Sequence, residues 1–462
     1  MQTALVLAVI VLSALASWWL TRSAPRAPSA TVPPPPELLA DAPPEQAPEE
    51  VAAATSPKQL GAVGFCAPEG DEASFTLHHT LRGLIRKEFQ RRWDALSNDE
   101  RHEVTSIAGG RPATGNALLY TALKQPASPA LLDAATRLAV ESSDPYLEVT
   151  RALLADALNC DDVQLEALRR ARRSLPHDPA IGWSLFALLR DTAELDEALE
   201  AVSDYLAADP IPAVARMKRR VEVQRDIQHD YRRQSESGLT LLWPPEQLSE
   251  ANAGALLHAV STALDDAAAL TGTTRRAKLT IVVYPGREEL LAVSCVQSWA
   301  GALYDGTLRL VAAPGEPMGV GRVSLRHEAL HAQVIPLAPS APRWFHEGLA
   351  QSFAGEVDRA LPTWRLMVRN RSWIPFSSLG GTFQAFEQSE DARLAYAQSL
   401  ALIELLRSSG GSHALQEAIR AFEEGAGAET VLQRATGHEV TGNELLRFLE
   451  QRTSSATNAE PK

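Results

Sequence analysis

His327-Glu328-Ala329-Leu330-His331 is the stretch whose residue types and spacing most directly specify chemistry. In a helix, positions i and i+4 share a face, so both imidazoles point the same way. Imidazoles so placed can hold one zinc ion at about 2.0–2.1 Å from each ring nitrogen. Glu328, beside the first His, can then reach a water polarised by that ion and take its proton. One short motif thus offers two metal ligands and a general base. The competing reading is an exposed helix that carries His and Glu by chance. His is scarce, with 11 in 462 residues, so a chance motif is expected only on the order of a few per cent of the time.

Zinc hydrolysis needs three protein ligands and one open position. Val323, Leu325, Leu330 and Val334 give the motif helix a buried face, and Pro336, Pro339 and Pro342 end it. A second helix is expected from Pro342, because proline suits a first helical turn. There Trp344, Phe345, Leu349 and Phe353 recur at helical spacing. Glu347, sixteen residues beyond His331, is the expected third ligand. His346 is its competitor, turned away by roughly 100° on the helix. The metzincin pattern H-E-x-x-H-x-x-G-x-x-H fails, since Val334 stands at its Gly and Leu337 at its last His.

His327–His331 followed by Trp344-Phe345-His346-Glu347-Gly348-Leu349-Ala350 resembles the gluzincin branch of zinc metallopeptidases, specifically the peptidase MA-like group. Trp299–Leu310 resembles the group's hairpin ahead of the zinc helix. Ile374–Leu379 and Tyr396–Ala401 resemble segments after it. The likeness spans roughly residues 240–450. It implies an α+β zincin-like unit with one zinc ion per chain, held by His327, His331 and Glu347, and Glu328 as general base in peptide hydrolysis. It also implies a Tyr or His that donates to the oxyanion. Tyr396 is the candidate, a core tyrosine being the alternative, and Tyr304 and His413 are lesser candidates. The strand Thr307–Leu310 would pair with an extended substrate. The aminopeptidase segment G-x-M-E-N is absent, which favours an endopeptidase. Some gluzincins carry an acid four residues after the ligand Glu to support a ligand His; Gln351 stands there, so that support must come from elsewhere.

Several elements must position these residues. Ala255–Leu270 reads as an amphipathic helix, and Leu279–Tyr284, ended by Pro285-Gly286, as a strand. Tyr304–Thr307 reads as a hairpin turn, with Leu308, Leu310 and Ala312 on the returning strand. Helices are expected near 393–408, 412–424 and 440–451. The expected fold is therefore mostly α, with a C-terminal α+β unit over 239–452 and a polar, disordered tail over 453–462.

Before it, residues 66–238 read as a helical domain. Asp144-Pro145, Asp178-Pro179 and Asp209-Pro210 fall 34 and 31 residues apart, with Ala167 and Ala198 inside Glu-Ala-Leu segments. This period resembles tetratricopeptide repeats, with proline at each unit's end and a groove for a protein partner; an ordinary Ala/Leu bundle is the alternative. Residues 23–65, rich in Pro, Ala and Glu, read as a disordered linker. Residues 1–22 read as a membrane anchor or signal segment: Ala4–Leu20 is almost uninterruptedly apolar, with Trp18 and Trp19 at its end. The expected topology is an uncleaved anchor with the body on the exported side. Secretion after cleavage at Ala14-Leu15-Ala16, or a cytoplasm-facing body as Arg22 and Arg26 suggest, are the alternatives.

The net charge of −13 argues against nucleic acid as a partner. Cys66, Cys160 and Cys295 form no C-x-x-C pair and read as inert thiols. The functional expectation is a membrane-tethered zinc metallopeptidase acting on peptides or proteins. The alternatives are a membrane-anchored helical-repeat scaffold with a vestigial protease domain, and a zinc hydrolase of a non-peptide amide.

Overall fold

Two of the three Asp-Pro pairs that set the repeat period, Asp144-Pro145 and Asp178-Pro179, start helices rather than end them. The Asp144 carboxylate accepts from the Tyr146 N–H, and that of Asp178 from Ala180 and Ile181, each with proline in the first turn. An aspartate there satisfies donors the helix leaves open, and proline lacks an N–H that would go unused. These features come from a computed structural model that describes residues 81–457, apart from 107–111, 159, 209, 275–277, 295–300, 314, 317, 339–340 and 381–388. The expected anchor, the linker, Cys66, Cys295 and residues 458–462 lie outside the described residues. Cys160 is a free, half-buried thiol. Among the described residues no helix is long and apolar enough to cross a membrane.

The first part of the unit is helix-rich: α1 (Leu81–Ala95), α2 (Asn98–Ser106), α3 (Gly115–Lys124), α4 (Pro129–Glu141), α5 (Pro145–Ala157), α6 (Asp161–Ser174), α7 (Pro179–Asp191), α8 (Leu195–Ala208) and α9 (Pro212–Gln228). α5 packs on α6, and α7 on α8. Small residues allow the close approach: Ala167, Ala171, Ala198 and Ala201 are fully buried. A Cβ on Gly182 would lie 2.8 Å from the Ala201 carbonyl oxygen. The third Asp-Pro pair departs from the pattern, because α9 starts at Pro212 rather than Pro210.

A five-stranded sheet follows, ordered β1-β2-β3-β5-β4. β1 (Arg232–Glu236) and β2 (Leu239–Trp243) form a hairpin over Ser237 and Gly238, both at positive φ. After α10 (Glu250–Thr271) come β3 (Leu279–Tyr284), α11 (Arg287–Val293), β4 (Ala302–Tyr304) and β5 (Leu308–Val311). β2, β3 and β5 run parallel, and the whole of β3 is buried, which is why it reads as a β-branched, mostly apolar run interrupted only by Thr280. β5 pairs with β3 on one side and β4 on the other. The expectation that Thr307–Leu310 meets substrate is therefore corrected: β5 has both edges taken, and among the described residues the free edge on that side belongs to β4.

The remaining elements are α12 (Arg322–Val334), α13 (Arg343–Ala354), α14 (Val357–Asn370), a 3-10 turn at Phe376–Gly380, α15 (Ser389–Glu423), α16 (Ala428–Thr436) and α17 (Gly442–Thr457). α15 is broken at Gly410 and Gly411. α17 runs past the point where a disordered tail was expected. Its Thr453 is buried and donates to the Leu449 carbonyl. One face of the sheet packs Ile281, Val283, Leu308 and Leu310 against Leu256, Val260 and Leu264 of α10 and Leu325, Ala329 and Ala332 of α12. A second core joins α12 and α13 to α14–α17 through Leu330, Phe345, Leu349, Trp364 and Ile403.

Candidate metal centre

α12 carries the motif between these two cores. Leu325, Ala329 and Ala332 belong to the core against the sheet, while Leu330 and Val334 belong to the core shared with α13. Burial on both sides fixes the helix's rotation. Its ends are tied as well. Arg326 stacks over the Phe353 ring at 4.2 Å and donates to Asp266 at 2.9 Å. Gln333 donates to Thr273 Oγ1 at 2.9 Å and to the Thr274 carbonyl at 2.7 Å. His327 and His331 then emerge one turn apart, rings edge-on with centroids 4.8 Å apart.

α13 brings the third group. Its Gly348 abuts α15 so closely that a Cβ there would fall onto the Ser399 carbonyl oxygen, well inside contact distance. Glycine beside Glu347 therefore lets α13 and α15 pack backbone to backbone, and Tyr396 stands one turn before Ser399. Glu347 is 2% exposed and turns its Oε2 to both imidazoles, 3.3 Å from His327 Nε2 and 3.6 Å from His331 Nε2. The ligand atoms of the three residues lie within 4.8 Å of one another.

The donor set fits zinc. Two nitrogens and one carboxylate oxygen form a common three-ligand set, and tetrahedral ligands at about 2.05 Å sit about 3.4 Å apart. The carboxylate-to-imidazole separations of 3.3 and 3.6 Å bracket that value. His327 Nδ1 lies 3.0 Å from Glu356 Oε1, which holds the ring so that Nε2 faces the centre.

Glu356 and Arg343 are the groups that sequence reasoning missed. Arg343 Nη2 lies 2.6 Å from Glu347 Oε1, the oxygen the histidines leave free, and its guanidinium also hydrogen-bonds Tyr396. Arg343 precedes Glu347 by four residues, so the shared helix face was legible. Glu356 was not. It lies beyond Gly355, whose φ of +79° ends α13 and turns the chain back toward His327. Gln351 does not take over the role of the missing acid, and its Oε1 meets no donor among the described residues.

The charges are tightly coupled. Burial alone would lower the His327 pKa, but the Glu347 and Glu356 carboxylates outweigh it and hold it at about 10. Burial would raise Glu347, yet His331, His327 and Arg343 keep it well below the usual carboxylate range. Glu328 is raised by burial, which His327 and His331 only partly oppose. Burial, then the Glu347 charge, raises Tyr396, so its hydroxyl keeps its proton.

Of the other candidates, His346 is absent from the three-residue group; burial pushes it down to about 4, so it is neutral. His413 is 76% exposed and lies near Glu417 rather than the centre. Tyr304, on β4, packs against the sheet core. Tyr396, by contrast, stands close enough to bond Arg343 and to feel Glu347 and Glu328.

Residues 259–448 match the family model described as Peptidase MA superfamily, which supports an MA-clan peptidase fold for this C-terminal region. No curated protein matches the chain.

Proposed function

We propose that this protein is a zinc-dependent metallopeptidase, acting as an endopeptidase. The observation that carries the reading is the convergence of His327, His331 and Glu347 on one buried point, with His327 oriented by Glu356. Zinc held by these three residues would lower the pKa of water and polarise a carbonyl oxygen. The protein's own groups supply the rest. Glu328 accepts the proton of the attacking water and returns it to the leaving amine. Its raised pKa suits a group that must both take and release a proton. Tyr396 donates to the developing oxyanion. Arg343 donates to the Tyr396 oxygen, which leaves the phenolic proton free for that purpose. An extended peptide would pair with the free edge of β4 beside α12. A tether over residues 1–22 belongs to the proposal on its sequence alone.

The test compares wild type with Glu328→Gln on a peptide library. Glu328→Gln should retain zinc and lose turnover. Equal activity in the two proteins removes Glu328 as the base. A wild type that binds no metal would favour the scaffold reading instead.

A further inference from the structure

We infer that the helix-rich part of the chain positions the peptidase sheet edge, with Arg190 and Asp191 at the end of α7 clamping the β4–β5 turn. The effect on substrate rests on the peptidase reading; the clamp itself does not.

Arg190 donates through Nε and Nη2 to Asp191 Oδ1 at 2.9 and 2.7 Å, and through Nη2 to the Asp305 carbonyl at 3.1 Å. The Asp305 carboxylate accepts from Arg309 Nε at 3.0 Å and from the Thr307 N–H at 3.4 Å. Arg309 Nη1 donates to Tyr284 Oη at 2.6 Å, which also accepts from Gln228 Nε2 at 3.3 Å. The network thus runs from α7 through the hairpin to β3 and the end of α9. Arg309 is 1% exposed. A guanidinium so buried is tolerated only when paired, so disturbing the network is costly.

The turn itself is built for this contact. Gly306 has φ +103°, and a Cβ there would lie 2.7 Å from Asp191 Oδ2. Glycine is therefore required both for the backbone conformation and for the approach of the carboxylate. On its far side the hairpin packs against α12, the helix of the metal centre. The free edge strand is held between the metal helix and the end of α7, and α7 belongs to no part of the Peptidase MA match. These residues are positioning residues, acting through β4.

The test uses the full-length, zinc-loaded protein with Arg190→Ala, Gly306→Ala and the conservative Arg190→Lys. Hydrogen exchange of the amides in 301–311 should speed up by about tenfold or more in the first two variants. KM for a peptide substrate should rise about fivefold or more, with kcat within about twofold, zinc content unchanged, and partial recovery in Arg190→Lys. Unchanged exchange in both variants overturns the clamp whatever the activity. Faster exchange with unchanged KM overturns its role in holding substrate. If wild type cleaves no peptide, the peptidase reading fails while the exchange result still judges the clamp.

Discussion

His327 and Glu356 are joined across a turn: Nδ1 of the ring lies 3.0 Å from the carboxylate, on the side away from Glu347. A carboxylate there fixes the tautomer and makes Nε2 a better metal donor. Glu356→Gln should therefore weaken zinc binding by about 10- to 100-fold while leaving the three ligands in place. Competition against a chelator of known affinity measures this. An unchanged affinity would remove Glu356 from the centre.

Metal affinity should rise with pH. In the metal-free protein His327 holds a proton up to about pH 10, because Glu347 and Glu356 outweigh its burial. A metal must displace that proton from Nε2, so below that pH the affinity should climb about tenfold per pH unit for the one proton released. Zinc titrations between about pH 6 and 8, in a buffer that does not bind zinc, read the slope. A flat profile would mean that His327 binds no proton in this range or no metal at all.

Arg343 and Tyr396 should act as a unit. Tyr396→Phe removes the proposed oxyanion donor and should lower kcat by about 100-fold. Arg343→Ala removes the group that orients it. At saturating zinc the double variant should turn over little more slowly than Tyr396→Phe alone, since the orienting role goes with the donor. Zinc affinity should fall separately with the lost Arg343–Glu347 pair. Turnover losses that multiply would show independent functions.

Gly348→Ala should destabilise the fold by about 2 kcal/mol, because the new methyl meets the Ser399 carbonyl rather than a movable side chain. Gly254→Ala is the matched control. Its Cβ would meet nothing within 4 Å inside α10, so it should stabilise by roughly 0.5–1 kcal/mol. Urea denaturation compares both with wild type. Equal effects would mean that Gly348 is not the contact that seats α13 on α15.

The parts of the centre that depend on helical spacing were legible in the chain. His327 and His331 share a face at i and i+4, and the apolar rhythm of Phe345 and Leu349 placed Glu347 on a second helix. β3 was legible because it is fully buried and, apart from Thr280, made of apolar and aromatic residues. β1 was not, because Arg232-Arg233-Gln234-Ser235-Glu236 is a polar edge strand with no apolar alternation. Pro362 disguised α14, which carries that proline inside the helix. Glu356 and the Arg190–Asp305 contact are tertiary meetings across turns and between distant segments, and no local period encodes them. Asp144-Pro145 and Asp178-Pro179 marked the right positions with the wrong sense, because aspartate before proline serves as a helix cap as readily as a stop.

The most direct measurement is zinc per chain in the purified full-length protein, compared with Glu347→Ala and His346→Ala. One zinc is expected in wild type, one in His346→Ala, and none in Glu347→Ala. Wild type without stoichiometric zinc, or loss of metal in His346→Ala with retention in Glu347→Ala, would contradict this ligand set.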